Sequence, residues 1–478
     1  MKNLTLLVAA LCISIISFAQ VKADYSNAFE YNPAVENDAK LVLVDSYNSY
    51  LLSYINIDGQ LSNHKIILRK FDQKNQLIET FKLDFPKIDA STLYNYVGAI
   101  EQPGGKKLIV FTESYSGKSD KQELYMHVFD KEKAAFTTTM IRSFVMESIN
   151  KKGVFDFKAA ENKRFAAMVN VKNSTKKEAV DNTVLMFDAT TLSLAWSKDV
   201  TLDSKNYEKA LAVTNSGKAI LIRDSKGGGS GNFLNVVTSS NVDEKQLGEA
   251  LQLQNPTAVT IGNEEYIVAI NYEAKGFRRG DFGKLMLYDI NNGKILTNNN
   301  IDIFNTIKDI SQVQFRGIYI QNNEIQIFAE AKYKAGTRPV KTNAFSTMTF
   351  DEPFYKYGPG YLLTMDFEGK LKSTIKLRTD YDALAELYQS FGVTNVRGDY
   401  YLIGGGSSIY KLTSDDNYKL KDAVKDITVQ IYDPTIDSKD WGSWRAVSQL
   451  FTYLPDSKKF IFGRFYNNQL SFITVSNF

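Results

Sequence analysis

From about residue 25 to its end the chain alternates short apolar runs with polar turns, and few of the runs are long enough for helices. In "LYMHVFDKEKAAFTTTMIRSF", Leu124 to Phe144, an apolar-aromatic run closes on Phe129-Asp130, a polar turn follows, and a second run returns. The same figure stands at Phe71-Asp72 and Phe187-Asp188, with spacings of 129−71=58 and 187−129=58 residues. It recurs at Tyr288-Asp289, Met365-Asp366 and Tyr432-Asp433, and a degenerate copy begins at Asn232. Short runs of alternating or continuous apolar character between turn residues predict strands. An Asp at the end of a run predicts a turn, because its carboxylate accepts bonds from the backbone N–H groups just ahead of it.

Two further strand-like runs precede each hairpin. Before the second copy they are "YVGAIE" and "KKLIVFTESY", joined by "QPGG"; before the fifth they are "PTAVTI" and "EYIVAINYE", joined by "GNE". The repeating unit is therefore four short antiparallel strands in about 50 to 75 residues, the scale of a propeller blade. A single four-stranded sheet cannot cover both its faces, whereas a ring of such sheets stacks face on face and closes. On this periodicity residues 25–478 resemble a β-propeller, which implies an all-β fold of four-stranded antiparallel blades. No Trp-Asp repeat or kelch diglycine pattern accompanies the period. Ser438 to Trp444, "SKDWGSW", is similar to the Asp-box turn of sialidase-type propellers, but it is one residue short and occurs once.

The last segment, "LFTYLPDSKKFIFGRFYNNQLSFITVSNF", holds three strands and lacks a fourth. "YSNAFEYN", Tyr25 to Asn32, is expected to supply it, closing eight blades by pairing the two termini; seven blades follow if that segment is only an arm. A pair of β-sandwiches would need a Pro/Ser-rich linker near the middle, and none is visible. Short helical pieces are expected in "TDYDALAELYQSFG", Thr379 to Gly392, and in "SDDNYKLKDAVKD", from Ser414.

Composition agrees with strand: 27 Tyr and 30 Phe against 9 Pro. The opening "MKNLTLLVAALCISIISFAQ" has a basic start, an apolar run and a small-residue cleavage pattern. Residues 1–19 are expected to be a signal peptide and 20–478 a single exported propeller domain of the periplasm or cell surface. Cys12 lies inside the apolar run after Leu11, which does not suit a lipid-anchor site. It is the one cysteine, so the mature chain has no thiolate ligand or nucleophile. Lys+Arg of 57 against Asp+Glu of 54, with no basic block, argues against nucleic acid as a partner. No second stretch has transmembrane length.

Catalytic signals are sparse. With two histidines, His64 and His127, a His-rich metal site is excluded by count, and a catalytic triad would have to use one of them. The Gly-rich stretches Asp224–Asn232 and Ile403–Tyr410 lack the Lys-Ser/Thr of a phosphate-binding loop. "DINNG", Asp289 to Gly293, starts like a calcium loop, but Asn300 stands where the twelfth-position acid belongs, so it is read as a turn. No cofactor and no metal is expected.

Two stretches suit ligand contact. "GFRRGDFG", Gly276 to Gly283, places Arg278, Arg279 and Asp281 on what the pattern predicts to be a loop between the middle strands of a blade. Lys334 to Gly360 looks like a long strand-free excursion carrying Phe354, Tyr355 and Tyr357 beside Asp351 and Glu352. Aromatic faces with nearby carboxylates suit sugar or peptide recognition. The function expected from these features is a non-catalytic binding or scaffold protein of the cell envelope, recognising a protein or glycan through loops on one face. The alternative is a carbohydrate-active enzyme with a carboxylate pair at the propeller mouth, which requires two acids roughly 5 to 9.5 Å apart.

Overall fold

The computed structural model describes residues 22–476 apart from 33–35, 46, 57–63, 173–179, 203–205, 226–232, 248–250, 276–277, 302–309, 342–348, 378–390, 405–408, 420, 425–444 and 467. The expected signal segment, the Asp-box-like stretch and nearly all of the helical stretch from Thr379 lie outside the described residues.

The strands form eight antiparallel sheets in a ring, a β-propeller. After two short strands, β1 (Lys22–Tyr25) and β2 (Phe29–Glu30), come blade 1 (β3–β6, Glu36–Leu83), blade 2 (β7–β10, Leu93–Val145), blade 3 (β11–β14, Gly153–Leu202) and blade 4 (β15–β18, Asn206–Gln246). Blade 5 (β19–β22, Leu251–Asn300), blade 6 (β23–β26, Ile310–Leu377), blade 7 (β27–β30, Phe391–Val424) and blade 8 (β31–β33, Arg445–Ser476) follow.

Eight apolar clusters account for the ring, one at each blade boundary. Leu52, Leu68, Leu108 and Phe129 join blades 1 and 2; Val268, Leu287, Ile327 and Leu363 join blades 5 and 6. The circle is completed where Leu51 and Phe71 of blade 1 meet Val447, Ile461 and Phe472 of blade 8. Every blade thus buries both faces, which one sheet alone cannot do. The first strands of the blades stand innermost and side by side, so their remaining edges line a central channel.

The fourth strand of blade 8 comes from the N-terminus, as the sequence predicts, but the pairing segment starts earlier. β1 lies antiparallel to β33 (Gln469–Ser476), with Lys22 opposite Ser476 and Tyr25 opposite Ile473. β2 adds a second short contact, Phe29 opposite Leu470. Tyr31, fully buried, then packs against Phe465.

The repeated aromatic-Asp corner proves to be the end of each third strand. Phe71, Phe129, Phe187, Tyr288 and Met365 are buried between blades. The Asp that follows each one turns the chain: Asp72 Oδ1 accepts from Lys74 N and Gln76 N, at 2.9 and 2.8 Å. Asp130, Asp188, Asp289 and Asp366 make equivalent bonds to Glu132, Thr190, Asn292 and Lys370. The degenerate copy is β17 (Phe233–Val237), the third strand of blade 4. The copy read at Tyr432-Asp433 lies outside the described residues, and blade 7 takes its third strand from β29 (Ile409–Leu412). That strand ends on Leu412-Thr413, so it lacks the aromatic-Asp signature. The stretch from Ser414 holds one 3-10 turn, Ser414–Asp416, followed by the short strand β30 (Lys421–Val424) rather than a longer helix. Among the described residues no helix is long and apolar enough to cross a membrane.

Candidate ligand-binding rims

Antiparallel blades sort their connections onto two rims. Turns from first to second and from third to fourth strands lie at one end of the channel; second-to-third hairpins and the links between blades lie at the other. All eight residues singled out in the sequence fall on the second-to-third hairpins of blades 5 and 6, and so on one rim.

Neither stretch is a loop as the hydrophobic pattern suggested. Arg278, Arg279 and Asp281 belong to β21 (Arg278–Asp289), which pairs with β20 (Glu264–Lys275), Lys275 opposite Arg278 and Ala274 opposite Arg279. The supposed strand-free excursion is mostly the long hairpin of β24 (Glu324–Lys341) with β25 (Thr349–Asp366). Lys334 faces Tyr355, Gly336 faces Phe354, Arg338 faces Glu352 and Pro339 faces Asp351. Polar and Gly/Pro-containing segments still form strands here because two of them pair with each other, which a pattern built on core burial does not register. β23 (Ile310–Gln321) stops pairing at Tyr333, so from Lys334 outward the hairpin is two-stranded and projects roughly 25 Å at about 3.3 Å per residue.

Tyr357 is buried at 4% exposure, its ring beneath the Arg316 guanidinium at 5.5 Å and the Lys332 ammonium at 5.5 Å. Arg316 in turn meets the buried Glu330 at 2.5 Å, and burial, opposed by Arg316, pushes the Glu330 carboxyl up to about 7. This aromatic therefore roofs an ion pair at the base of the hairpin. Asp351 and Glu352 are successive positions of β25 in the two-stranded part of the hairpin.

At the opposite rim the channel opens into a cavity of about 960 Å³. It is lined by first-to-second turns of blades 3 to 7, including Glu161, Asn215, Tyr319, Asn395 and Arg397, and by Ser414. Among the described residues that line it there is none of the eight sequence candidates. The turns are stitched to one another: Leu43 N donates to Glu101 at 2.6 Å, Asn162 N to Asn215 at 3.0 Å, Asn215 Nδ2 to Thr260 at 2.9 Å, and Gln321 Nε2 to the Gly398 carbonyl at 2.6 Å. Lys163 of blade 3 also pairs with Glu101 of blade 2. This girdle holds the mouth in a fixed shape. Glu161 stays wetted but walled in, and burial raises its carboxyl above the ordinary value. Burial, and after it the Glu161 charge from across the channel, pushes the Tyr319 phenol up to about 12. Sequence reasoning passed over these residues because "ENKR", "TNSG" and "VRGD" are ordinary turn compositions.

His127 has no catalytic setting. It is wholly buried in β9 (Lys121–Asp130), between Thr112 Oγ1 at 2.7 Å from Nε2 and Thr138 Oγ1 at 2.9 Å from Nδ1. Burial lowers its pKa to about 4, so the ring is neutral, accepting from one hydroxyl and donating to the other. His64, expected in a polar turn, opens β5 (His64–Phe71). Asp289–Gly293 forms the turn read from its composition, with Gly293 at φ 63°.

No protein-family model matches the chain, and no curated protein does. Solved structures similar to it include the β-propeller domain of the Trilobed protease from Pyrococcus furiosus, at 10% identity and TM-score 0.36 over 84% of this chain and 97% of that one. The WD40 domain of SCAP from fission yeast matches at 8% identity and TM-score 0.44 over 96% and 95% of the two chains. Chaetomium thermophilum Sqt1 matches at 11% identity and TM-score 0.44 over 95% and 96%.

Proposed function

We propose that this chain is a non-catalytic binding or scaffold propeller of the bacterial cell envelope, exported by its N-terminal signal, which recognises a protein or glycan through one rim. The observation that carries the reading is the pair of lengthened hairpins on neighbouring blades. β24 and β25 are 18 residues each, whereas the corresponding strands of blade 2, β8 (Lys107–Ser116) and β9, are 10 each. Extra strand beyond what a blade needs for its core adds no interblade burial, so a contact outside the ring is its natural use. The contact set would be Arg278, Arg279, Asp281, Asp351, Glu352, Phe354 and Tyr355, with Tyr357 holding the hairpin's base. The carbohydrate-active alternative is the weaker reading, because Asp351 and Glu352 are adjacent in sequence and at most one of them could serve in an acid pair.

Replacing residues 335–354 by a short turn tests this. The ring should stay folded, with an unchanged thermal midpoint, while an affinity-tagged chain loses the partners it recovers from envelope extracts. An unchanged set of partners would place recognition elsewhere.

A further inference from the structure

Most polar side chains around the channel mouth are spent on one another. Asn162 donates to Asn215 through its backbone N–H and its amide, and Asn215 donates to Thr260. Asn395 donates to Gln321, which donates in turn to the Gly398 carbonyl, and Asp399 is taken by Lys411 at 2.7 Å. Glu161 and Arg397 are different. Both line the cavity and both are exposed, and among the described residues neither side chain has a hydrogen-bond or ion-pair partner. Glu161 stands on the first-to-second turn of blade 3 and Arg397 on that of blade 7, on opposite sides of a ring of eight. Arg397 holds φ 55° in a two-residue turn with Gly398, where the matching turn of blade 6 has Asn322-Asn323. Asn suits that left-handed backbone better than a long arginine, so the turn itself supplies no reason for a cation there.

Between the two charges the wall offers the Tyr319 ring, the half-exposed Ile320 and the polar side chains of Asn322 and Ser414. Such a mixture suits a peptide, whose N–H and C=O groups need partners and whose small side chains need apolar cover. A carboxylate attracts an ammonium, and the flat guanidinium fork attracts a carboxylate. An acid and an arginine on opposite walls therefore select a molecule that carries the reverse charges at its two ends. A sphere of 960 Å³ is roughly 12 Å across, and three extended residues span about 10 Å. We propose that the channel mouth formed by the first-to-second turns of blades 3 to 7 binds a short peptide of about three residues with both ends free, its α-ammonium at Glu161 and its α-carboxylate at Arg397. This site lies at the other end of the ring from the lengthened hairpins and does not rest on that reading.

The test is calorimetric titration of the chain from Gln20, at neutral pH, with trialanine, N-acetyl-trialanine, trialanine amide and maltotriose. Trialanine should bind roughly ten-fold more tightly than either blocked form, and less tightly as salt rises. Glu161→Gln should weaken trialanine roughly ten-fold and leave N-acetyl-trialanine unchanged, since that form has no ammonium to lose. Arg397→Asn should weaken trialanine to the same degree and leave the amide unchanged. Asn suits the turn and Glu161 is exposed, so both variants should keep the parent thermal midpoint. If either does not, the comparison of free and blocked peptides on the parent chain still decides. Equal binding of free and blocked peptides, no binding of trialanine, or variants that weaken free and blocked peptides alike overturns the proposal. Maltotriose bound as tightly as trialanine would leave a hydroxyl-binding mouth and overturn the peptide. Deletion of residues 335–354 should leave these affinities unchanged, so failure here and failure of the hairpin reading are separate outcomes.

Discussion

His127 shows how much of this protein's chemistry is spent on holding the fold. A histidine inside a strand of an apolar sheet has to be neutral, and two threonine hydroxyls on the flanking strands satisfy both ring nitrogens. Its folded pKa of about 4 lies below the unfolded value near 6.5. Between those values the unfolded chain binds the extra proton, so stability is complete above about pH 6.5 and falls as pH drops toward 4. Urea unfolding at pH 7.5 and pH 5 should show a loss on the order of 2 kcal/mol from this residue, and His127→Gln should flatten that dependence. Arg69 follows the same logic with charge: its guanidinium meets both oxygens of the buried Glu36, at 2.7 and 2.9 Å, and bonds Ser53. Neither arrangement is visible in a sequence, because the partners are 11 to 33 residues away and carry no motif.

At the scale of the element, the third-strand corner was legible because it joins two local requirements at adjacent positions. The aromatic fills the gap between blades, and the Asp satisfies N–H groups that the departing strand leaves bare. The two halves differ in weight. Phe129 is fully buried, with the rings of Tyr50, Phe81 and Phe136 at 5.6, 4.9 and 5.1 Å. Phe129→Ala should cost roughly 3–5 kcal/mol, while Asp130→Ala, which removes a turn bond at the surface, should cost about 1 kcal/mol. Denaturant midpoints of the two variants check the ratio; similar losses would mean that the turn, not the interblade contact, sets the period. The hairpins of blades 5 and 6 were illegible for the complementary reason. Strand pairs outside the core have no apolar alternation to betray them, so Lys334–Gly360 looks like a loop until its pairing is seen.

For the whole molecule, the decisive contact joins residues some 450 positions apart. β1 supplies the outermost strand of blade 8, so that the outer edge of β33 is paired, and the same segment brings Tyr31 into the blade 8–blade 1 cluster. Ala23 stands opposite Val475. In a chain beginning at Gln20, Ala23→Cys with Val475→Cys supplies the only two thiols, and their oxidation should raise the thermal midpoint relative to the reduced form. Chain entropy sets an upper bound near 6 kcal/mol for a loop of this length. Failure of the pair to oxidise would contradict the closure. Removal of residues 22–31 should have the opposite effect, a lowered midpoint with association through the bared edge of β33.

The sequence by itself determined what is local and repeated: four strands to a unit, Asp turns at the corners, a ring rather than a sandwich, and a terminal shortage of one strand that the other terminus fills. Each of these rests on neighbouring residues meeting the same burial and hydrogen-bond demand again and again. Only the tertiary structure decided which rim carries which residues, that Lys163 of blade 3 pairs with Glu101 of blade 2, and that Glu161 and Arg397 share a mouth. Those relations join single residues on different blades, and proximity made by closing a ring leaves no spacing in the chain.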